Sequence, residues 1–223
     1  LARLADWASN VTLPIALNCS ESLNLLQFIA IMSDNSTKKL IILEAAARLF
    51  RDKGYSATSM RDLADAVQLK ASSLYNHIAS KEEILQTICF DNAHRFLAGM
   101  TEIEQLQVSA TLKIEALIRL HIRIAREDLT SVTAFNDEWR HLSEPHLSNF
   151  ISLRKSYEGR FKAIIEAGIQ AGELRPLHAS VLLYTLFSSV RWLYDWFKPE
   201  RSLSADMLES EIITILLNGM ILK

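Results

Sequence analysis

The stretch Thr58 to Leu85, TSMRDLADAVQLKASSLYNHIASKEEIL, limits the possible folds more than any other part of the chain. It opens with a helix cap. Ser59 can accept the amide hydrogen bond of Asp62, three residues on as a capping box requires, and that carboxylate sits on the positive end of the helix. Met60, Leu63, Ala64 and Val67 then recur at helical spacing and give a short helix one buried side. Val67 to Lys70 make a turn. Ala71 to Asn76 read as a second short helix anchored by Leu74, with Ser72, Ser73, Tyr75 and Asn76 left for the surface. Ahead of this pair, Thr37 to Lys53 form a first helix with Leu40, Ile41, Leu43, Ala46, Ala47, Leu49 and Phe50 as its apolar set, and Gly54 stands where a helix stop is wanted. Three short helices can share one small core, a helix-turn-helix arrangement whose second helix enters the DNA major groove.

The exposed side of that second helix is small and rich in hydroxyls, so it can approach a duplex closely and bond to phosphates and base edges. Lys70 and Lys81 supply cations on either side of it. His77 has two readings: a donor to a phosphate, or a structural hydrogen bond tying the helix to the loop Ile78 to Ser80. The formal net charge is -2, so DNA affinity has to come from a local cationic face rather than from the whole molecule. Lys38, Lys39, Arg48, Arg51, Lys53, Arg61, Lys70 and Lys81 concentrate positive charge in that part of the chain.

The segment resembles the DNA-binding domain of the tetracycline repressor family of bacterial transcription regulators. Thr58 matches the leading Thr of the family pattern, Leu63 and Ala64 its Ile-Ala pair, Ser73, Leu74 and Tyr75 the end of its recognition helix, and Ser80, Lys81 and Glu82 its closing motif. His77 and Ile78 stand at its His-Phe pair. The turn departs: Val67-Gln68-Leu69-Lys70 replaces Ala-Gly-Val-Ser, which puts Gln68 where a left-handed glycine is usual and Lys70 where a capping serine is usual. The resemblance implies that Thr58, Lys70, Ser73, Tyr75, His77 and Lys81 lie at the DNA backbone and that Ala71, Ser72 and Asn76 face bases.

The 223 residues, 49% hydrophobic, are enough for such a headpiece and a larger helical domain with its own core. The expected fold is therefore all-α, with an N-terminal extension or arm over 1–36, a helix-turn-helix domain over 37–82 and a helical effector-binding and dimerisation domain over 83–223. Met32 reads as an ordinary start, and the apolar run Leu23 to Ile31 falls well short of the roughly 18 residues of a membrane span. Without an export signature, a cytoplasmic protein is expected. Cys19 and Cys89 suit neither a disulfide framework nor a zinc site. Body helices are expected over Thr111 to Asp128, Val132 to Leu142, Pro145 to Ala171, Pro176 to Phe197 and Ala205 to Leu217, with Ser80 capping the long helix that precedes them.

Two features of the body suggest regulation. Phe135, Trp139 and Arg140, followed at helical spacings by Phe150, Arg154, Tyr157 and Phe161, can wall an apolar cavity with a few polar groups, the usual form of a small-molecule site. Each aromatic can equally be plain core. Trp192 and Trp196, with Ile212 and Leu216, give more apolar surface than one side of a helix needs, which suggests a homodimer interface. By resemblance, Glu138-Trp139-Arg140 and the later Arg191 to Trp196 stretch are similar to family members that control fatty-acid, steroid or aromatic-acid catabolism. That implies a repressor of operator DNA released by an acyl-CoA or related hydrophobic acid, with Arg140 or Arg154 at its charged part. Asp137, Glu138, His141 and His146 leave a metal-responsive or, less simply, a metal-dependent enzymatic reading open, and a multidrug-responsive one stands beside them. No cofactor and no catalysis are expected, since no nucleotide-binding glycine pattern or catalytic triad spacing appears.

Overall fold

A computed structural model describes residues 37–191 and 204–221. The chain divides into compact units at residues 41 and 42; of the first unit only residues 37–41, the opening turn of helix α1, are described. Helix α1 covers 37–53, and Gly54 ends it at φ +86°, with its amide bonded back to the carbonyl of Phe50. Its inward side is Ile42, Ala45, Ala46 and Phe50, whereas Leu40 and Ile41 are exposed. The apolar residues of α1 outnumber those its inward side holds, so helical spacing alone does not separate Leu40 and Ile41 from the buried set.

Helix α2 (Met60–Ala66) carries the complete capping box: the Asp62 amide donates to Ser59 Oγ, and the Ser59 amide returns to the Asp62 carboxylate at 2.8 Å. Two hydrogen bonds from Ser59 and the cation of Lys53 hold the Asp62 pKa down at about 2. A depressed carboxylate stabilises the fold above its unfolded pKa and stops doing so as pH falls through the folded one. The stability difference between wild type and Asp62→Ala is therefore expected to shrink as pH drops from about 4 to about 2. Urea midpoints measured across that window check it; a gap that stays constant would contradict the capping box as its source.

The turn into α3 (Ala71–Leu74) runs through Gln68, which sits at φ +55°. A left-handed non-glycine residue costs of the order of 1 kcal/mol. Gln68→Gly should accordingly raise the thermal midpoint slightly, with a net gain of up to about 0.5 kcal/mol after the greater freedom of glycine in the unfolded chain is offset. Helix α3 is shorter than the six residues expected. After Leu74 the chain tightens into a turn in which the amides of His77 and Ile78 both return to the Leu74 carbonyl.

The body follows as α4 (Lys81–Glu104), α5 (Ala110–Glu127), α6 (Leu129–Glu138), a 3₁₀ turn (Trp139–His141), α7 (His146–Gln170), α8 (Ala179–Arg191) and α9 (Ala205–Met220). Ser80, Ser109, Asp128 and Ser204 cap α4, α5, α6 and α9 with side-chain oxygens. Helix α4 packs against α5, α6 and α7, and α7 against α5 and α8. At Gly99 a Cβ would lie 2.6 Å from Leu120 Cδ2, so α4 and α5 approach closely only because that side chain is absent.

Two clusters share the core. One joins Phe96, Met100, Ile114, Leu117, Phe161 and Leu186 in the body. The other starts with Ile42, Phe50, Leu63 and Leu74, continues along α4 through Ile84, Leu85, Ile88 and Cys89, and takes in Ala134, Leu142 and Phe150. The first turns of α4 are thus part of the same core as the three short helices before it. Phe135 packs against both clusters. Burial pushes the Cys89 thiol up to about 12, so it packs as a small hydrophobe.

Candidate functional site

Ala71, Ser72, Tyr75 and Asn76 are exposed on α3 and the turn after it, and Lys70 is exposed at the helix entrance, where its side chain makes no cap bond. Ser73 and His77 are half-buried. This side therefore offers hydroxyl, amide and phenol groups together with one cation at the start of the helix. Leu74, fully buried beneath them, holds the helix to the headpiece core.

Of the residues expected at the DNA backbone, Thr58 is buried and Lys81 half-buried, and both bond to nearby backbone carbonyls. Thr58 is 2% exposed, and its hydroxyl donates to the Gly54 carbonyl at 2.9 Å. The Lys81 ammonium donates to the carbonyls of Tyr55 and Thr58, each at 2.7 Å, and lies 4.1 Å from the centre of the Tyr55 ring. An ammonium has three donors, so two are spent holding the loop between α1 and α2 against the first turn of α4. Burial lowers the Lys81 pKa, and Glu138 opposes that shift.

In the body a cavity of about 250 Å³ opens between α4, α5, α6, α7 and α8. Phe135, Trp139, Arg140, Arg154 and Tyr157 all line it. Phe150 and Phe161 do not; both are fully buried behind the wall, where Phe150 packs on Phe135 and Trp139, and Phe161 on Tyr157. Lining residues that the sequence had not pointed to include His121 from α5, and Phe187 and Arg191 from α8. An aromatic contact from His121 to Phe96 and the position of Arg191 at the end of an apolar helix only acquire meaning once α5 and α8 close over α7.

The charged groups gather around Trp139. The guanidinium carbons of Arg140 and Arg154 lie 4.6 and 4.8 Å from its ring centre. Burial lowers the Arg154 pKa; Glu158 counters this, while the like charges of Arg140 and Arg191 add to the lowering. Arg191 is paired with Asp137. Three cations thus face two carboxylates, Asp137 and Glu158, and an anion entering the cavity would meet net positive potential with aromatic walls.

The 3₁₀ turn joins this cavity to the headpiece. Trp139 and Arg140 line the cavity, and the next residue, His141, stacks on Tyr55 with ring centres 5.1 Å apart and planes at 22°. Close by, the Ser143 amide donates to Glu82, and Arg51 of α1 donates to Thr130 of α6.

His141 also faces Glu138 at 3.3 Å, whereas His146 meets the edge of Phe90. Among the described residues no group of three His, Cys, Asp or Glu side chains converges as a metal would require. Of the expected interface residues, Trp192 and Trp196 lie outside the described residues, and Ile212 and Leu216 are half-buried against the body core. Among the described residues, Val181 and Tyr184 on α8 and Met207 and Ile215 on α9 are exposed apolar side chains.

Residues 42–88 match the family of bacterial regulatory proteins of the tetR type, and residues 107–220 match the tetracyclin repressor-like C-terminal domain. The HTH-type transcriptional repressor KstR2 of Mycolicibacterium smegmatis is 26% identical over 189 residues, covering 84% of this chain and 92% of that protein. The ketosteroid transcriptional regulator KstR2 of Mycobacterium tuberculosis shares the fold, with a TM-score of 0.78 at 24% identity over 83% of this chain and 96% of that one. The structure of AibR in complex with isovaleryl coenzyme A and operator DNA gives a TM-score of 0.71 at 26% identity, covering 80% of this chain and 97% of the other.

Proposed function

This chain belongs to the tetracycline repressor family of bacterial regulatory proteins, and from that premise we propose that it is a homodimeric repressor released from operator DNA by a hydrophobic acid or its CoA thioester. As a family member it is a DNA-binding regulator of transcription. The exposed Ser72 and Asn76 are the side chains available for base edges, and Lys70, Ser73, Tyr75 and His77 for the backbone. The reading of the effector rests on one observation above all, the three guanidiniums of Arg140, Arg154 and Arg191 around a cavity walled by Phe135, Trp139 and Phe187. Aromatic walls favour a hydrocarbon portion, and the excess of cations favours an anionic end. AibR, solved with isovaleryl coenzyme A and operator DNA, supports an acyl thioester on a related fold. A dimer is supported by the exposed Val181 on α8 and Met207 and Ile215 on α9, and two-fold symmetry suits paired half-sites on the duplex. Such a protein would act in the cytoplasm, where the operator is.

The deciding experiment measures operator binding against a panel of fatty acyl-CoAs, aryl-acyl-CoAs and the free acids, with Trp fluorescence reporting occupancy. An acid or thioester is expected to weaken operator affinity by about 5–150-fold, the usual size of a coupling between sites. Arg154→Leu should diminish that response. Binding without any change in operator affinity would not amount to induction, because only differential affinity for the two states shifts them. If every acid fails while a cationic drug or a divalent metal releases the operator, the effector is of another class.

A further inference from the structure

The cavity is small for the class of guest that its charge invites. Its volume is about 250 Å³, below the roughly 300–1,000 Å³ of sites for drug-sized molecules. An apolar cavity of about 150 Å³ takes up benzene, a guest of six carbons. In proportion, the space here suits a hydrocarbon portion of about ten carbons at most.

The aromatic walls have little room to give. Tyr157 and Phe187 line the cavity and stack with ring centres 6.2 Å apart and planes at 23°. Phe161, fully buried and outside the lining, stands edge-on against both, at 6.4 and 5.6 Å. Phe96, another lining ring, stacks on Phe135 at 5.8 Å and meets Tyr157 edge-on at 5.9 Å. A guest that pushed Tyr157 or Phe187 aside would therefore have to displace Phe161 from the body core as well. Forcing extra carbons into a close-packed core is unfavourable, and the corresponding loss of affinity is about five- to a hundredfold. Each methylene that does fit contributes about a fourfold gain. The two trends place a break in any series of lengthening guests.

We propose that the cavity selects its effector by size, accepting one acyl chain of up to about ten carbons, or a single ring, over long-chain and fused polycyclic acids. This rests on the effector reading of the cavity given above and narrows it to short and medium acids. Phe187 sets the limit on the α8 side, since it lines the cavity, is half-buried and rests on the fully buried Phe161.

The experiment titrates the whole chain with straight-chain acids from butanoate to hexadecanoate, each as free acid and as CoA thioester, with phenylacetate as a one-ring acid and cholate as a polycyclic one. Straight-chain alcohols from butanol to dodecanol are titrated alongside as guests without charge. Affinity is expected to rise about fourfold per methylene and to stop rising near ten carbons, with phenylacetate binding and cholate not. Phe187→Ala should move the break to longer chains, and Phe187→Leu should move it less. A rise that continues unbroken to hexadecanoate overturns the limit, as does cholate binding as tightly as octanoate, or a break that a folded Phe187→Ala leaves in place. If no acid binds but the alcohols show the break, the limit stands and the acid reading falls. If the acids bind without a break, the acid reading stands and the limit falls. If nothing binds, both fall. Thermal midpoints confirm that the variants are folded, and the wild-type series tests the limit without any variant.

Discussion

Replacing Phe150 with Ala should cost about 3–5 kcal/mol of global stability, the range for a fully buried Phe. The ring has no exposed surface and meets three others, Phe90, Phe135 and Trp139, at centroid distances of 6.0, 5.5 and 5.9 Å. The contacts with Phe90 and Phe135 are edge-to-face, and aromatic pairs add about 0.5–1.5 kcal/mol each beyond the area they bury. Phe150 sits in the cluster that holds the headpiece to the first half of α4, so the loss falls on the part of the core that sets α3 in place. For a chain of this length the thermal midpoint should drop by roughly 6–20 °C. Urea unfolding gives the free energy directly. A loss below about 1 kcal/mol would mean that the site is not close-packed. Since Phe150 stands behind the cavity wall rather than in it, Phe150→Leu should leave the rank order of effectors unchanged, and a reordered panel would count against that placement.

The second large effect concerns communication rather than stability. His141→Ala is expected to bring the effector-induced change in operator affinity close to one while the effector still binds. The couplings seen between distinct sites, about 5–150-fold, set the scale of what can be lost. The physical basis is the 3₁₀ turn, in which Trp139 and Arg140 touch the cavity and His141 stacks on Tyr55 of the headpiece. Any guest that moves Trp139 must move His141 with it, because they lie two residues apart on one tight turn. Tyr55→Leu should act on the same coupling, so the double variant should lose little more than either single one. Additive losses, or an unchanged effector response in His141→Ala, would show that the signal travels another way, for instance through the contact of Arg51 with Thr130.

The sequence disclosed local structure better than it disclosed neighbours. The capping box at Ser59 and Asp62, the stop at Gly54 and the left-handed turn at Gln68 are all decided within four or five residues of chain, and each appears as expected. Helix α3 ended early because the last residues before the next cap make tight turn bonds to Leu74, which no side-chain pattern announces. The bonds of Thr58 and Lys81 were not legible for a related reason: their partners are backbone carbonyls, and a carbonyl looks the same at every position of a sequence. The aromatic series from Phe135 to Phe161 was visible as a set. Which members line the cavity and which lie behind it depends on how α7 is rotated against α5 and α6, a tertiary matter that helical spacing cannot decide. His121 and Arg191 come from helices whose periodicity reads as ordinary amphipathic packing, and only the closure of α5 and α8 over α7 brings them to the site.

The short turn from Trp139 to His141 also imposes a symmetry on any quantitative use of the proposed repressor. Equilibrium linkage is reciprocal, so whatever factor an effector takes from operator affinity, the operator takes from effector affinity. A dissociation constant measured on the free protein would then overstate the sensitivity of the DNA-bound protein by that factor. Extra operator copies would act as competitors of the effector without touching the cavity, and the dose needed for release would rise with the number of sites occupied.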